Sequence, residues 1–194
     1  FTNGELVGIY TIKSDTGRGR FARVYLAWSE RFGKVALKYF TDPDVDYDAL
    51  LNEAFMMAMF NNYPSPEDPY FVNVYDARYV GNRYPILCME YMRGGTLAKR
   101  LEEKEHIEYR DAAIITFRIA TALQAMHGRG YLHRDIKPEN ILFGGESSGT
   151  AQLCDLGIAI FLNKGEEIPI AGTLHYMSPG ILSEGYTPRT DIYS

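Results

Sequence analysis

Only two of the 194 residues are cysteine and only one is tryptophan. Cys88 and Cys154 each stand beside apolar residues, in Ile86-Leu87-Cys88-Met89 and Gln152-Leu153-Cys154-Asp155. They read as free buried thiols of a reducing compartment, the cytosol or nucleus, rather than as a disulfide framework. No stretch nears the roughly 18 uninterrupted apolar residues of a membrane span. The opening Phe1-Thr2-Asn3-Gly4-Glu5 lacks the basic-then-apolar order of a secretory leader. Basic residues are not in excess: 20 Lys and Arg face 25 Asp and Glu, a net charge of −5. Non-specific nucleic-acid binding, which draws on clustered cations displacing counterions, is therefore not expected. There is no internal repeat and no low-complexity tract. A chain that does not begin with Met suggests a segment excised from something longer. Set against these absences, 46% of the residues are hydrophobic and 13% aromatic. That is enough for the core of one globular unit or two small lobes.

The pattern changes character near residue 92. Before it, residues 7–13, 21–28 and 35–40 are short runs of β-branched and aromatic residues separated by Gly-containing turns, which predicts an antiparallel meander. Residues 47–60 contain no Gly or Pro and mostly good helix formers, predicting one helix. Two more strands are expected over 71–80 and 84–90. Past Gly94-Gly95, Thr96 is placed to cap a short helix. Residues 109–127 hold Ile115, Ile119, Ala122 and Met126 at helical spacing, ended by Gly128 and Gly130 as left-handed-tolerant residues. Residues 144–150 read as an exposed turn between two short strands.

Several residues in this framework carry chemistry. Gly17-Arg18-Gly19-Arg20-Phe21-Ala22-Arg23-Val24 sets two glycines between strands. Either they are turn residues, or they let backbone approach a phosphate closely. Lys38, in Val35-Ala36-Leu37-Lys38, is either a snorkelling strand lysine or is held by Glu53, the acidic residue in the middle of the predicted helix. The most informative run is His133-Arg134-Asp135-Ile136-Lys137-Pro138-Glu139-Asn140-Ile141-Leu142, followed by Asp155-Leu156-Gly157.

Taken in order, these segments resemble the eukaryotic protein kinases, Ser/Thr type, across nearly all of the 194 residues. The resemblance implies an α+β, bilobal fold: an antiparallel-sheet N-lobe with one helix and a hinge over 1–92, and a mainly helical, incomplete C-lobe over 93–194. It implies ATP-dependent transfer of a phosphoryl group to Ser/Thr hydroxyls of a protein substrate, with Mg2+ as cofactor. Lys38, held by Glu53, would contact phosphates, and the amides around Gly17 and Gly19 would cover them. Val24, Ala36 and Leu142 would sandwich the adenine ring, and the Glu90 and Met92 backbones would bind its edge, with Met89 limiting the pocket behind. Asn140 and Asp155 would ligate Mg2+, a hard ion that prefers oxygen. Asp135 would orient the acceptor hydroxyl and take its proton, and Lys137 would stabilise the transferring group. His133 is expected to pack beside Leu156, Met57 and Val74 rather than act as a base, and His127 to be a helix-end residue. Thr173, in Gly172-Thr173-Leu174-His175-Tyr176-Met177-Ser178-Pro179, would bridge Asp135 and Lys137. Asp191 would anchor the catalytic-loop backbone.

No Ser, Thr or Tyr lies between Gly157 and Gly172. Phosphorylation of a hydroxyl there is thus excluded; Glu166 or Glu167 would take that place beside Arg134, or both are solvated loop residues. Three positions depart from the family pattern: Ala22 for the third loop glycine, Leu156 for Phe, and Gly180 for the Glu after Ser178-Pro179. The last, with a chain ending at the start of what resembles the central C-lobe helix, keeps a second function in view: a pseudokinase or truncated nucleotide- or partner-binding module. An incomplete C-lobe would also leave apolar surface for a partner to cover.

Overall fold

The computed structural model describes residues 1–18, 22–41, 47–81, 84–104, 106–162 and 168–194. Gly19, Glu166 and Glu167 lie outside the described residues. Two compact units emerge: residues 1–61 with 72–92, and residues 62–71 with 93–194.

The first unit is a six-stranded antiparallel sheet. Its strands are β1 (Leu6–Val7), β2 (Tyr10–Arg18), β3 (Ala22–Ser29), β4 (Gly33–Phe40), β5 (Val74–Val80) and β6 (Tyr84–Glu90), in the spatial order β1-β2-β3-β4-β6-β5. Strand alternation gives the two faces different tasks. Tyr10, Ile12, Tyr25, Ala27, Val35, Leu37, Ile86 and Cys88 form a buried apolar cluster. Register pairs Val24 with Lys38, Leu26 with Ala36, and Ala36 with Met89, so these five share the opposite face, and all are half-buried. Helix α1 (Tyr47–Met59) belongs to this unit. Its buried stripe, Leu50, Glu53 and Met57 with Phe60 just beyond the helix, follows helical spacing and carries one charged residue.

The second unit is mainly helical: α2 (Leu97–Glu103), α3 (Tyr109–His127), α4 (Ile181–Glu184) and α5 (Pro188–Tyr193), with the two-stranded pairs β7 (Tyr131–Leu132) with β10 (Ile160–Phe161) and β8 (Ile141–Phe143) with β9 (Ala151–Leu153). Thr96 caps α2, its Oγ1 accepting the Lys99 N–H at 3.1 Å. α3 buries Ile115, Ile119, Ala122, Leu123 and Met126 along one side.

Four sequence expectations need correction. Gly128 keeps a right-handed conformation (φ −63°), and Gly130 (φ +80°) supplies the left-handed turn after α3. The strand expected over 71–80 starts at Val74. Phe71 instead bridges to Leu153, whose N–H donates to the Tyr70 carbonyl at 2.9 Å. Residues 62–71 therefore belong with the second unit, not with 1–92. Arg118, 5% exposed within α3, holds them: Nη1 lies 2.7 Å from Asp68 Oδ1, Nη2 donates to the Pro69 carbonyl at 2.7 Å, and Nε donates to Ala151 at 2.7 Å. A buried guanidinium needs partners for its donors, and two backbone carbonyls and the Asp68 carboxylate supply them here. Finally, the 144–150 turn is not wholly exposed, since Ser148 is buried in a short 3-10 turn, Ser148–Thr150. Among the described residues no helix is long and apolar enough to cross a membrane.

Candidate active site

Within the first unit, Lys38 Nζ and Glu53 Oε1 are 2.7 Å apart. The pair exists because two periodicities converge: β4 puts Lys38 on the face opposite the apolar cluster, and α1 puts Glu53 in its buried stripe. Glu53 is only 3% exposed, so its carboxylate depends on the ammonium for compensation. Gly17 is not a turn residue: it lies in β2 opposite Val24 without a positive φ, and among the described residues no atom comes within 4 Å of where a Cβ would stand. The Glu90 N–H donates to the Asn73 carbonyl at 2.9 Å.

In the second unit, Asp135 is the hub of a short-range network. Its Oδ1 accepts the Thr173 hydroxyl at 2.6 Å. Its Oδ2 lies 2.6 Å from Lys137 Nζ and accepts from Asn140 Nδ2 at 3.0 Å. Lys137 Nζ also donates to Thr173 Oγ1 at 2.8 Å, so Thr173 bridges the acid and the base. Asn140 gives its amide hydrogens to the Asp135 carbonyl and carboxylate, which leaves its carbonyl oxygen as the side chain's acceptor. Asp155 follows Cys154, whose N–H donates to the Asn140 backbone carbonyl at 3.0 Å. Leu142, half-buried, sits in β8 opposite Gln152. Met92 is buried in the first unit.

The backbone here is unusual. Of the three described non-glycine residues at positive φ, two are Arg134 (φ +68°) and Asp155 (φ +65°). Such conformations persist where surroundings over-determine them, which is common at functional sites. For Arg134 the determinant is Asp191, whose Oδ2 accepts the His133 N–H at 2.9 Å and whose Oδ1 accepts the Arg134 N–H at 2.8 Å. Burial alone would raise the Asp191 pKa, but His127 at 2.9 Å and those two N–H groups outweigh it and hold the carboxyl below its ordinary range. His127 is thus more than the helix-end residue expected, for it closes this anchor. His133 is fully buried, accepts the Asp135 N–H on Nδ1 at 3.2 Å and lies 3.1 Å from the Cys154 carbonyl through Nε2. Burial lowers its pKa, with Asp191 opposing, so the ring is held neutral with the proton on Nε2. Leu156 is buried as well. The His127 partnership was invisible to sequence reasoning because 64 residues separate it from Asp191 and no local pattern joins them.

The donor set suits a hard divalent ion. Among the described residues no three His, Cys, Asp or Glu side chains cluster into a protein-only cage. Mg2+ needs no such cage, because it keeps water and substrate oxygens and takes only one or two carboxylate ligands. The Asn140 carbonyl oxygen and the Asp155 carboxylate are oxygen groups of the chemical type such an ion prefers.

A family model for the protein kinase domain matches residues 10–194. The chain is 33% identical over 201 residues to calcium-dependent protein kinase 32 of Arabidopsis thaliana, covering all of this chain and 36% of that protein. It is 30% identical over 200 residues to calcium-dependent protein kinase 20 of Oryza sativa subsp. japonica, covering all of this chain and 35% of that one. A crystal structure of a kinase domain, PF14_0431, superposes with a TM-score of 0.87 at 21% identity, covering the whole chain and 64% of the solved one. The chain belongs to the protein kinase domain family. The Ser/Thr-type recognition and the α+β kinase fold read from the motif order are borne out. It spans about a third of the length of these curated relatives.

Proposed function

We infer that this chain carries the catalytic residues of an ATP-dependent protein Ser/Thr kinase. The observation that supports it most directly is the Asp135 network. A carboxylate with Oδ1 fixed by Thr173 and Oδ2 fixed by Lys137 and Asn140 has its orientation set before any substrate arrives. Preorganisation of that kind is most of what a protein contributes to phosphoryl transfer, which needs positioning and charge neutralisation rather than covalent help.

In this reading Asp135 orients the acceptor hydroxyl and takes its proton, while Lys137 offers positive charge to the transferring group. Lys38, kept in place by Glu53, holds phosphate oxygens. Gly17 leaves room for the triphosphate, with Gly19 as its neighbour in the sequence motif. Val24, Ala36 and Leu142 supply apolar faces for the adenine ring, and Glu90 and Met92 supply backbone groups for its edge. Asn140 and Asp155 would hold Mg2+, which would supply positive charge to neutralise the phosphates. The protein substrate presents a Ser or Thr hydroxyl. Cys88 and Cys154 are not joined in a disulfide, which agrees with a reducing compartment such as the cytosol or nucleus.

Mg2+-ATP-dependent phosphorylation of a generic protein substrate, measured beside Asp135→Asn, tests this. Transfer abolished by the substitution supports the kinase. Nucleotide binding without transfer favours the second reading, a pseudokinase, to which Gly180 in place of the family's Glu points.

A further inference from the structure

The segment that carries Thr173 to Asp135 holds no hydroxyl to phosphorylate between Gly157 and Gly172, so its position must come from unmodified groups. The Arg134 guanidinium makes its contacts with main chain and a ring. Nε donates to the Ile158 carbonyl at 2.6 Å, Nη1 donates to the Pro169 carbonyl at 3.1 Å, and the group lies 5.3 Å from the Tyr186 ring centroid. Tyr186 is buried, packed in an apolar cluster with Leu132 and Ile181. Its hydroxyl meets both polar groups of one residue, accepting the Ala171 N–H at 2.8 Å and donating to the Ala171 carbonyl at 2.5 Å. The next residue, Gly172, has φ +124°, and a Cβ there would stand 2.5 Å from the Arg134 carbonyl oxygen. Thr173 follows immediately.

Only two peptide units therefore separate the Tyr186 hydroxyl contacts from the Thr173 hydroxyl that Asp135 and Lys137 share. The same tyrosine ring flanks the side chain of the residue before Asp135. We propose that Tyr186 is a positioning residue of the kinase reaction: clamping Ala171 with its hydroxyl and Arg134 with its ring, it fixes Thr173 between Asp135 and Lys137 with no phosphorylated residue in the connecting segment. This rests on the kinase reading above. A ring over a guanidinium supplies electrostatic attraction and desolvated contact in place of a salt bridge. The paired hydrogen bonds define the backbone direction at Ala171, which apolar packing alone does not do.

The test compares wild type, Tyr186→Phe and Tyr186→Leu in the full chain, using hydrogen exchange of the nucleotide-free protein and steady-state kinetics. Tyr186→Phe keeps the packing and the ring. It is expected to speed exchange across residues 171–173 and to lower kcat on the order of tenfold, with KM for ATP within about twofold. Tyr186→Leu is expected to lower kcat further, because the ring over Arg134 is gone as well. A fall in thermal stability with exchange at 171–173 and kcat per folded molecule unchanged would make Tyr186 merely structural and overturn the proposal. If wild type transfers no phosphate, the kinase reading fails and the role in catalysis fails with it, whereas a changed exchange pattern still assigns Tyr186 the clamp on this segment.

Discussion

The Tyr10 hydroxyl donates to Asp76 Oδ2 at 2.7 Å, although β2 and β5 are four strands apart in the sheet order. The sheet must curl for this contact to form, and Arg78 Nε, 2.5 Å from the same oxygen, completes it. Burial, then the Asp76 hydrogen bond, raises the Tyr10 pKa far above its ordinary value, so the phenol stays a donor throughout the accessible range. Tyr10→Phe is expected to lower unfolding free energy by about 1–2 kcal/mol, read as a reduced urea midpoint at unchanged slope. A shift within error would mean that this hydrogen bond adds nothing measurable to holding β2 near β5, since the Arg78–Asp76 pair lies within β5.

Cys88 sits beside that contact, fully buried, and its thiol is pushed up to about 11, chiefly by burial. Only the thiolate reacts readily, so near neutral pH the folded chain should leave Cys88 unlabelled by iodoacetamide while denatured chain labels fully. Mass spectrometry of the Cys88 peptide distinguishes the two. Rapid labelling without unfolding would contradict the burial seen here.

Replacing Lys38 by Met leaves Glu53 as a buried carboxylate without its ammonium. A loss of roughly 3–5 kcal/mol is expected from the broken buried pair, and much of it should return in Lys38→Met/Glu53→Leu, which removes both charges. Denaturant titration of the two variants gives the comparison. Phosphoryl transfer should be lost in both, because stability and phosphate contact are separate consequences of one ion pair.

Two groups tie stability to acid. His133 has a folded pKa below its ordinary value, so as pH falls through the usual histidine range the unfolded chain takes up a proton that the buried ring refuses, and stability declines. Asp191 has a folded pKa below the ordinary carboxylate range, so its contribution is present above that range and is lost at still lower pH as the carboxyl protonates. Unfolding free energy measured across this span should thus fall in two stages, and His133→Gln should flatten the first. A single decline confined to the carboxylate range in wild type would show that His133 is not held neutral.

Gly172→Ala places a methyl group against the Arg134 carbonyl at a φ that side chains rarely adopt. The displaced segment takes Thr173 with it, and a misplacement of about 1 Å costs on the order of 100-fold in turnover. Kinetics should show kcat falling with nucleotide affinity preserved, since Lys38 and Glu53 belong to the other unit.

Much of this architecture was legible because it is written locally. The 109–127 helix, the Thr96 cap and the β3–β4 meander follow from periodicity and capping chemistry over a few residues. The 133–142 segment was legible through its place in the ordered motifs, and the pairing of Lys38 with Glu53 through strand and helix phase. What sequence reading lost depends on contacts across long separations. Arg118 recruits residues 62–71, Asp191 takes up His127, and Tyr186 reaches back to Ala171 and Arg134. The choice between Gly128 and Gly130 as the left-handed residue turned on where the chain had to go next, which composition does not encode.

The Arg118 anchor also bears on how the chain is made. During synthesis Asp68 leaves the ribosome fifty residues ahead of the guanidinium it needs. The sheet can close around residues 72–92 before α3 exists, whereas 62–71 must wait as an open strap. Its prolines at 64, 66 and 69 leave it poor in amide donors while it waits. Until Arg118 is made, Asp68 and the Pro69 carbonyl lack the guanidinium that holds them in the folded chain.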